Sequence, residues 1–552
     1  MEDPTNRAIP TGDRAVRQGA LSRRGVLKGA AAAAGATALG IGAASPASAA
    51  DAAITATSLD GSNTITLSVI GGALKWSAKR NGTTVIGTSA LGLELSNGTT
   101  LGTSVTVTNS QQFSIDTTWA PVCGRNATVS DAYQEVQWNL RDTRTLINFG
   151  VVIRAYATGV ALRYVLLDTG TATIARELTT FVFPSNTLVY SARDEDPYNP
   201  VAPGSIPSTG TSTTDTGTLT DQPLTATLSG GLIACICESA RVNYPRLMLS
   251  SVSGQANTLA AYLMQHTARG SGTVQTTTTV TTPFSTPWRA VVIGSTHAEL
   301  VDNAELVPTL APANVLDDTS WIKPGKVFRL QLTTAAGLAG ADFAAARSLQ
   351  YIEYDAGWYG PEGSTTDATK PISAIGLTSV IAHAKSKGIG VFLYVNRIAL
   401  TNADSLFGLY KSWGVAGVKL GFINDGTQTM TNAITGWAQT AAKHGLLIDT
   451  HDDVRPFGYE RTYPNWIAME GVRGNEHFPT ATHNVTLPFA RNVGGPMDYT
   501  ICYGQSRDQT TNAHQMAIAA VYYQPLNFVY WYDSPSKYAN TASWPGLPWF
   551  DA

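Results

Sequence analysis

The sequence predicts a large β-rich domain followed by a (β/α)8 barrel of the TIM type. Three observations predict it. Residues 52 to about 320 carry Thr-rich, strand-like runs with little helical periodicity. After about Asp318 strands and helices alternate at barrel-like spacing. At 552 residues the chain is too long for one ordinary core.

The first 50 residues read as an export signal. Ser22-Arg23-Arg24-Gly25-Val26-Leu27-Lys28 precedes an Ala/Gly-rich apolar stretch, and Ala47-Ser48-Ala49 offers a small-x-small cleavage site. Paired arginines, a weakly hydrophobic core and a small-residue exit fit bacterial twin-arginine export, which predicts a secreted protein. This segment holds six Lys/Arg and three Asp/Glu. The whole chain carries −3, which leaves −6 for residues 51–552. That balance argues against a nucleic-acid partner. No later apolar run reaches the ~20 residues of a membrane span. Cys123, Cys235, Cys237 and Cys502 lack metal-site spacing. They read as small buried hydrophobes, Cys235 and Cys237 sharing one face of a strand.

In the β-rich region (51–320), strand-like runs are Thr64–Val69, Leu74–Ala78, Val105–Val107, Thr145–Arg154, Gly159–Leu167, Gly231–Cys237 and Leu259–Leu263. Asn81-Gly82 and Asn97-Gly98 mark hairpins. A large β-sandwich follows. In the second region (321–552), strands are expected at Val327–Leu332, Tyr351–Tyr354, Ile389–Val395, Gly417–Phe422, Leu446–Thr450, Trp466–Met469 and Phe528–Trp531. Helices are expected between them, at Leu338–Leu349, Ala374–Lys387, Asp404–Trp413 and Met430–His444. About eight strand candidates fit the barrel. An open doubly wound sheet is disfavoured because no Gly-rich phosphate loop follows the first strand.

Barrel chemistry sits where strands end, and the acids concentrate there between Leu446 and Phe478. One strand end delivers His451, Asp452 and Asp453; another delivers Glu470, with Glu476 six residues on. Arg455, Tyr459, Arg461, Tyr463 and Arg473 crowd them, while Asp355 with Trp358, and Asp498, stand near other strand ends. Clustered carboxylates raise one another's pKa, giving a proton donor beside an ionised base, or they bind a hard cation such as Ca²⁺. Aromatics stack on sugar rings, so the combination points to glycoside hydrolysis of an oligo- or polysaccharide. No nucleophile elbow, zinc helix or P-loop is present.

Arg461-Thr462-Tyr463-Pro464-Asn465, then Glu470-Gly471-Val472-Arg473-Gly474-Asn475-Glu476, resembles glycoside hydrolase family 97. So do Gly495-Pro496-Met497-Asp498-Tyr499-Thr500, Ser285-Thr286-Pro287-Trp288-Arg289, Asp318 to Lys326, and Glu238-Ser239-Ala240 with Tyr244-Pro245. The resemblance implies an N-terminal β-super-sandwich, a (β/α)8 barrel and a small C-terminal β-domain, before which this chain is expected to stop. It implies an exo-acting α-glucosidase or α-galactosidase with bound Ca²⁺. By position Glu476 matches the general acid, Glu470 a calcium ligand, and Asp452 the place where inverting members carry a glutamate that is base and ligand. One further ligand is expected among Asp194, Glu195 and Asp196, with Glu195 and Asp196 fitting best. His451, Arg455, Asp355, Trp358 and Asp498 are expected to touch substrate.

Two departures shape the expected mechanism. Retaining members carry an aspartate nucleophile at the end of the fourth strand, where this chain has Gly421. Inverting members carry a second glutamate base after the third strand, where Asn396 or Arg397 stands; Asp453 is a possible helper. The expectation is an inverting, calcium-dependent α-glycosidase in which water fills the space at Gly421 and Asp452 activates it. The alternative is a non-catalytic carbohydrate-binding protein on a degenerate barrel.

Overall fold

The computed structural model describes residues 51–207, 217–265, 274–362, 367–501, 503–539 and 543. The segment expected to be an export signal, Cys502 and the aromatic segment from Trp544 onward lie outside the described residues.

The N-terminal part is built from three antiparallel sheets, of four, twelve and four strands. Local sequence explains their edges. Asn63–Ile70 and Ala73–Arg80 alternate buried and half-buried residues, as strands with one wet face do. Ile233–Ser239 and Trp288–Gly294 are buried throughout because both faces of the large sheet are covered there. Ala234 and Ile236 point into the main core of the β-rich part with Leu224 and Val291. Ile233, Cys235 and Cys237 point the other way, toward Leu300, Leu306 and Val307. The two sulfurs share a face as expected, 3.7 Å apart as free thiols.

The C-terminal part is a parallel sheet of a TIM-type barrel. Its described strands are β1 (Gly325–Leu330), β2 (Tyr351–Tyr354), β3 (Gly390–Asn396), β4 (Gly417–Gly421), β5 (Leu447–Thr450), β6 (Trp466–Met469) and β7 (Leu526–Asp533). They pair in the order β6-β5-β4-β3-β2-β1-β7. Helices Thr334–Ala346, Leu377–Ser386, Ala403–Trp413 and Gln428–Lys443 cross between β1 and β5, three of them starting at a Thr or Asn cap. Between β6 and β7 the described residues form no regular strand. Asp498 N–H donates to Met469 of β6, while Ile501 and Tyr503 N–H groups donate to Phe528 and Val529 of β7. Gly495 and Thr500, both at positive φ, break regular pairing here. Among the described residues no helix is long and apolar enough to cross a membrane.

A seam of buried ion pairs joins the two parts. Arg241 pairs with Asp425, Arg246 with Asp221 and Asp453, and Arg455 with Asp221, all essentially without solvent exposure. Main-chain bonds run alongside, from Ala240 N–H to Phe457 and from Arg246 N–H to Gly426. The docking brings the loop after the strand Leu188–Ser191 over the barrel mouth, and that loop carries Glu195.

Candidate active site

Period-two alternation sends every second barrel residue inward, and several of these are charged. Tyr394, Lys419 and Asp449 are register partners across β3, β4 and β5; one step toward the carboxyl end, Asn396 pairs with Gly421. The Lys419 ammonium lies 3.3 Å from Asp355, 3.7 Å from Asp498 and 4.0 Å from Glu353. Arg329 of β1 holds Asp355 at 2.8 Å. These cations outweigh burial and keep the Asp355 carboxyl well below the usual range. His451 stands between Asp498 at 2.6 Å and Glu470 at 3.0 Å.

Asp498 gives a pH prediction. Burial alone would raise its pKa, but Lys419 and His451 pull it down to about 2 from an ordinary value of 3.8. A depressed carboxylate stabilises the fold above its unfolded pKa, and that contribution is lost as pH falls through about 4 toward 2. The Asp498→Asn variant is expected to show a flatter denaturant midpoint over that window than the parent. An equally steep midpoint would contradict the assignment.

At the rim, the Asp452 N–H donates to Glu470 Oε2, and Ile423 N–H donates to Asp452 Oδ2 at 3.0 Å. Asp452 sits at φ +64°, a left-handed conformation uncommon for a residue with a Cβ. Glu195 and Glu476 come together with His477 so that one ligand atom from each lies within 4.8 Å of the others, and His477 Nε2 is 2.7 Å from Glu195. Asp452, Glu470 and Asp196 are outside that grouping. Glu470 Oε1 is buried without a hydrogen-bond partner. Burial, reinforced by Glu195 and Glu476, pushes the Glu470 carboxyl up.

Other expected site residues are placed elsewhere. Arg455 is fully buried in the seam, donating to the Asp194 carbonyl and to Asp221, so it has no face to offer a sugar. Asp194 is buried beside it, its N–H donating to Asp221. Asp453, the possible helper base, is paired with Arg246. Trp358 is also buried, its indole N–H donating to the Tyr394 carbonyl and its ring meeting Tyr359 and Tyr410. Asn396 accepts from Ile398 N–H, capping a turn.

Sequence reasoning passed over Arg329, Glu353, Lys419 and Asp449. Their signal was a charged residue at an inward position of a strand otherwise buried and apolar. It also passed over Phe422, 53% exposed beside Gly421, which offers an aromatic face at the mouth.

Two family models match this chain: Glycosyl-hydrolase 97 N-terminal over residues 57–312, and Glycoside hydrolase 97 over residues 320–472. The chain belongs to glycoside hydrolase family 97. It is a glycosidase acting on carbohydrate. A retaining alpha-galactosidase of Bacteroides thetaiotaomicron is 28% identical over 533 residues, covering 86% of this chain and 78% of that protein. A probable retaining alpha-galactosidase of Streptomyces bingchenggensis is 28% identical over 450 residues, covering 78% of this chain and 66% of that protein. A family 97 enzyme of Pseudoalteromonas sp. strain K8, solved with acarbose, superposes with a TM-score of 0.77 at 25% identity, covering 90% of this chain and 82% of that one.

The names of the Bacteroides and Streptomyces relatives overturn the expected inversion. That expectation took the missing side chain at Gly421 for an open space holding water. The space is filled: a Cβ at position 421 would lie 2.1 Å from the Tyr394 hydroxyl and 2.3 to 2.4 Å from its ring carbons. The Tyr394 side chain, not an open gap, occupies the place where a side chain at 421 would begin.

Proposed function

We propose that this family 97 chain is a retaining α-galactosidase. Glu476 is its general acid, and Glu195 and Glu470 beside it would hold a Ca²⁺. The observation that carries the reading is the convergence of Glu476 and Glu195 at the mouth of a barrel, in a chain two of whose relatives are named a retaining and a probable retaining alpha-galactosidase. Glu476 protonates the departing glycosidic oxygen; in the second step the resulting carboxylate takes a proton from water. Asp498, His451 and Asp355 form the charged floor under the sugar, and Phe422 offers its apolar face.

The residues fit a hard cation. Glu195 lies in one cluster with Glu476 and His477, Glu470 feels the charge of both acids, one oxygen of Glu470 is buried and unpaired, and Ca²⁺ takes six to eight oxygens. Bound there, it would offset the repulsion between these acids. Because Glu195 comes from the β-rich part, the ion also ties the two parts together. A ligand at 100 times its Kd adds about 2.7 kcal/mol to stability, so chelation is expected to lower Tm on the order of 5 °C. An unchanged melting curve, on protein shown free of metal, would contradict the site.

The experiment for the reading as a whole compares nitrophenyl α-galactoside with nitrophenyl α-glucoside on the purified protein. A kcat/KM at least about tenfold higher for the galactoside, one equivalent of 1.4 kcal/mol, is expected. A preference for the glucoside would contradict the substrate assignment.

A further inference from the structure

Retention needs a nucleophile on the face of the sugar opposite the acid, and the strand end where the resemblance places one has only Gly421. We propose that the Tyr394 hydroxyl is the nucleophile of this enzyme, with Asp452 as the base that takes its proton. The proposal rests on the retaining reading above.

The first argument is position. Tyr394 lies one inward step below the Asn396–Gly421 pair, and its phenol rises into the volume a side chain at 421 would enter. Glycine permits this approach, since a Cβ there would collide with the phenol. The second argument is the company of the hydroxyl. It makes no hydrogen bond to any described residue, although Tyr394 is only 5% exposed, and its charged neighbours are Glu362, Asp452 and Asp355. Asp452 is anchored by Ile423 N–H, two residues beyond Gly421, so carboxylate and phenol approach the same turn from two strands. The third is elimination. Asp355 is clamped by Arg329 and Lys419, Glu362 accepts from Gly357 N–H and the Tyr359 hydroxyl, Asp453 is sealed in the seam, and Asn396 caps a turn.

Burial and the surrounding carboxylates push the phenol pKa up, so Tyr394 is neutral at working pH. It must lose its proton as it attacks, and a carboxylate base adjacent to a hydroxyl nucleophile meets that need. In the first step the Tyr394 oxygen bonds to the anomeric carbon and the bond to the leaving oxygen breaks. The phenol proton goes to Asp452, and the Glu476 proton goes to the leaving oxygen. In the second step water bonds to the anomeric carbon as the tyrosyl oxygen leaves. Glu476 takes the water's proton, and Asp452 returns its proton to Tyr394. Each group ends as it began. A tyrosine nucleophile has precedent among glycosidases.

The test incubates the full chain with 5-fluoro-α-galactosyl fluoride, which slows breakdown of a glycosyl-enzyme, and maps the added mass by peptide sequencing. The adduct is expected on Tyr394. Tyr394→Phe, which keeps the ring and its packing, is expected to lose about 10³-fold in kcat and to form no adduct. An adduct on a carboxylate, or a Tyr394→Phe variant within tenfold of the parent, would overturn the tyrosine. Proton NMR of the parent's first product separates the two claims. α-Galactose first with the label elsewhere sinks the tyrosine alone, whereas β-galactose first sinks the retaining reading as well.

Discussion

Glu476→Gln is expected to lower kcat for α-galactosides of ordinary alcohols by about 10²–10⁴-fold, while dinitrophenyl α-galactoside keeps most of its first-step rate. The reason is the leaving group. A sugar alkoxide cannot depart without a proton, and the amide of glutamine cannot supply one. Dinitrophenolate departs unaided, so with that substrate the loss moves to the second step, where the variant can no longer accept the proton of water. Azide, which needs no deprotonation, is expected to restore turnover. Glu470→Gln should behave differently, since its side chain accepts from Asp452 N–H and pairs with His451 rather than reaching the leaving oxygen. Equal losses on both substrates in Glu476→Gln would remove Glu476 from the acid role.

Arg246→Ala is expected to destabilise the fold by about 3–5 kcal/mol, the second large effect. Its guanidinium is 3.1 Å from Asp221 and 3.7 Å from Asp453, and it also donates to the Asp453 carbonyl. Truncation leaves two buried carboxylates facing one another across the seam with Arg455 as the remaining partner of Asp221. The cost should appear as a lower denaturant midpoint and as separation of one unfolding transition into two, because the pair joins the β-rich part to the barrel. A variant within about 1 kcal/mol of the parent, unfolding in one step, would show that the seam is held by apolar packing instead.

The barrel was legible because β2 to β6 are short apolar runs spaced by helical patterns, a local signal that survives without tertiary context. The rim acids were legible for a related reason: a carboxylate directly after such a run falls at the carboxyl end of a strand. What escaped was what depends on direction. Arg455 is three residues from Asp452, yet after the left-handed turn at Asp452 it turns to the seam. Lys419 stands inside a strand, where a search of strand ends does not look, and it is the cation about which Asp355, Asp498 and Glu353 gather. Gly421 was read as a gap because a sequence shows a missing side chain but not the neighbour that fills its place. The register of β3 on β4, which puts Tyr394 beside Lys419 and below Gly421, supplies that neighbour.

The central claim is that this family 97 chain hydrolyses α-galactosides with retention although position 421 is a glycine. Proton NMR of nitrophenyl α-galactoside hydrolysis, recorded before mutarotation equilibrates the product, tests it most directly. The α-anomer of galactose is expected to appear first, with the β-anomer growing in later. The β-anomer appearing first would contradict it.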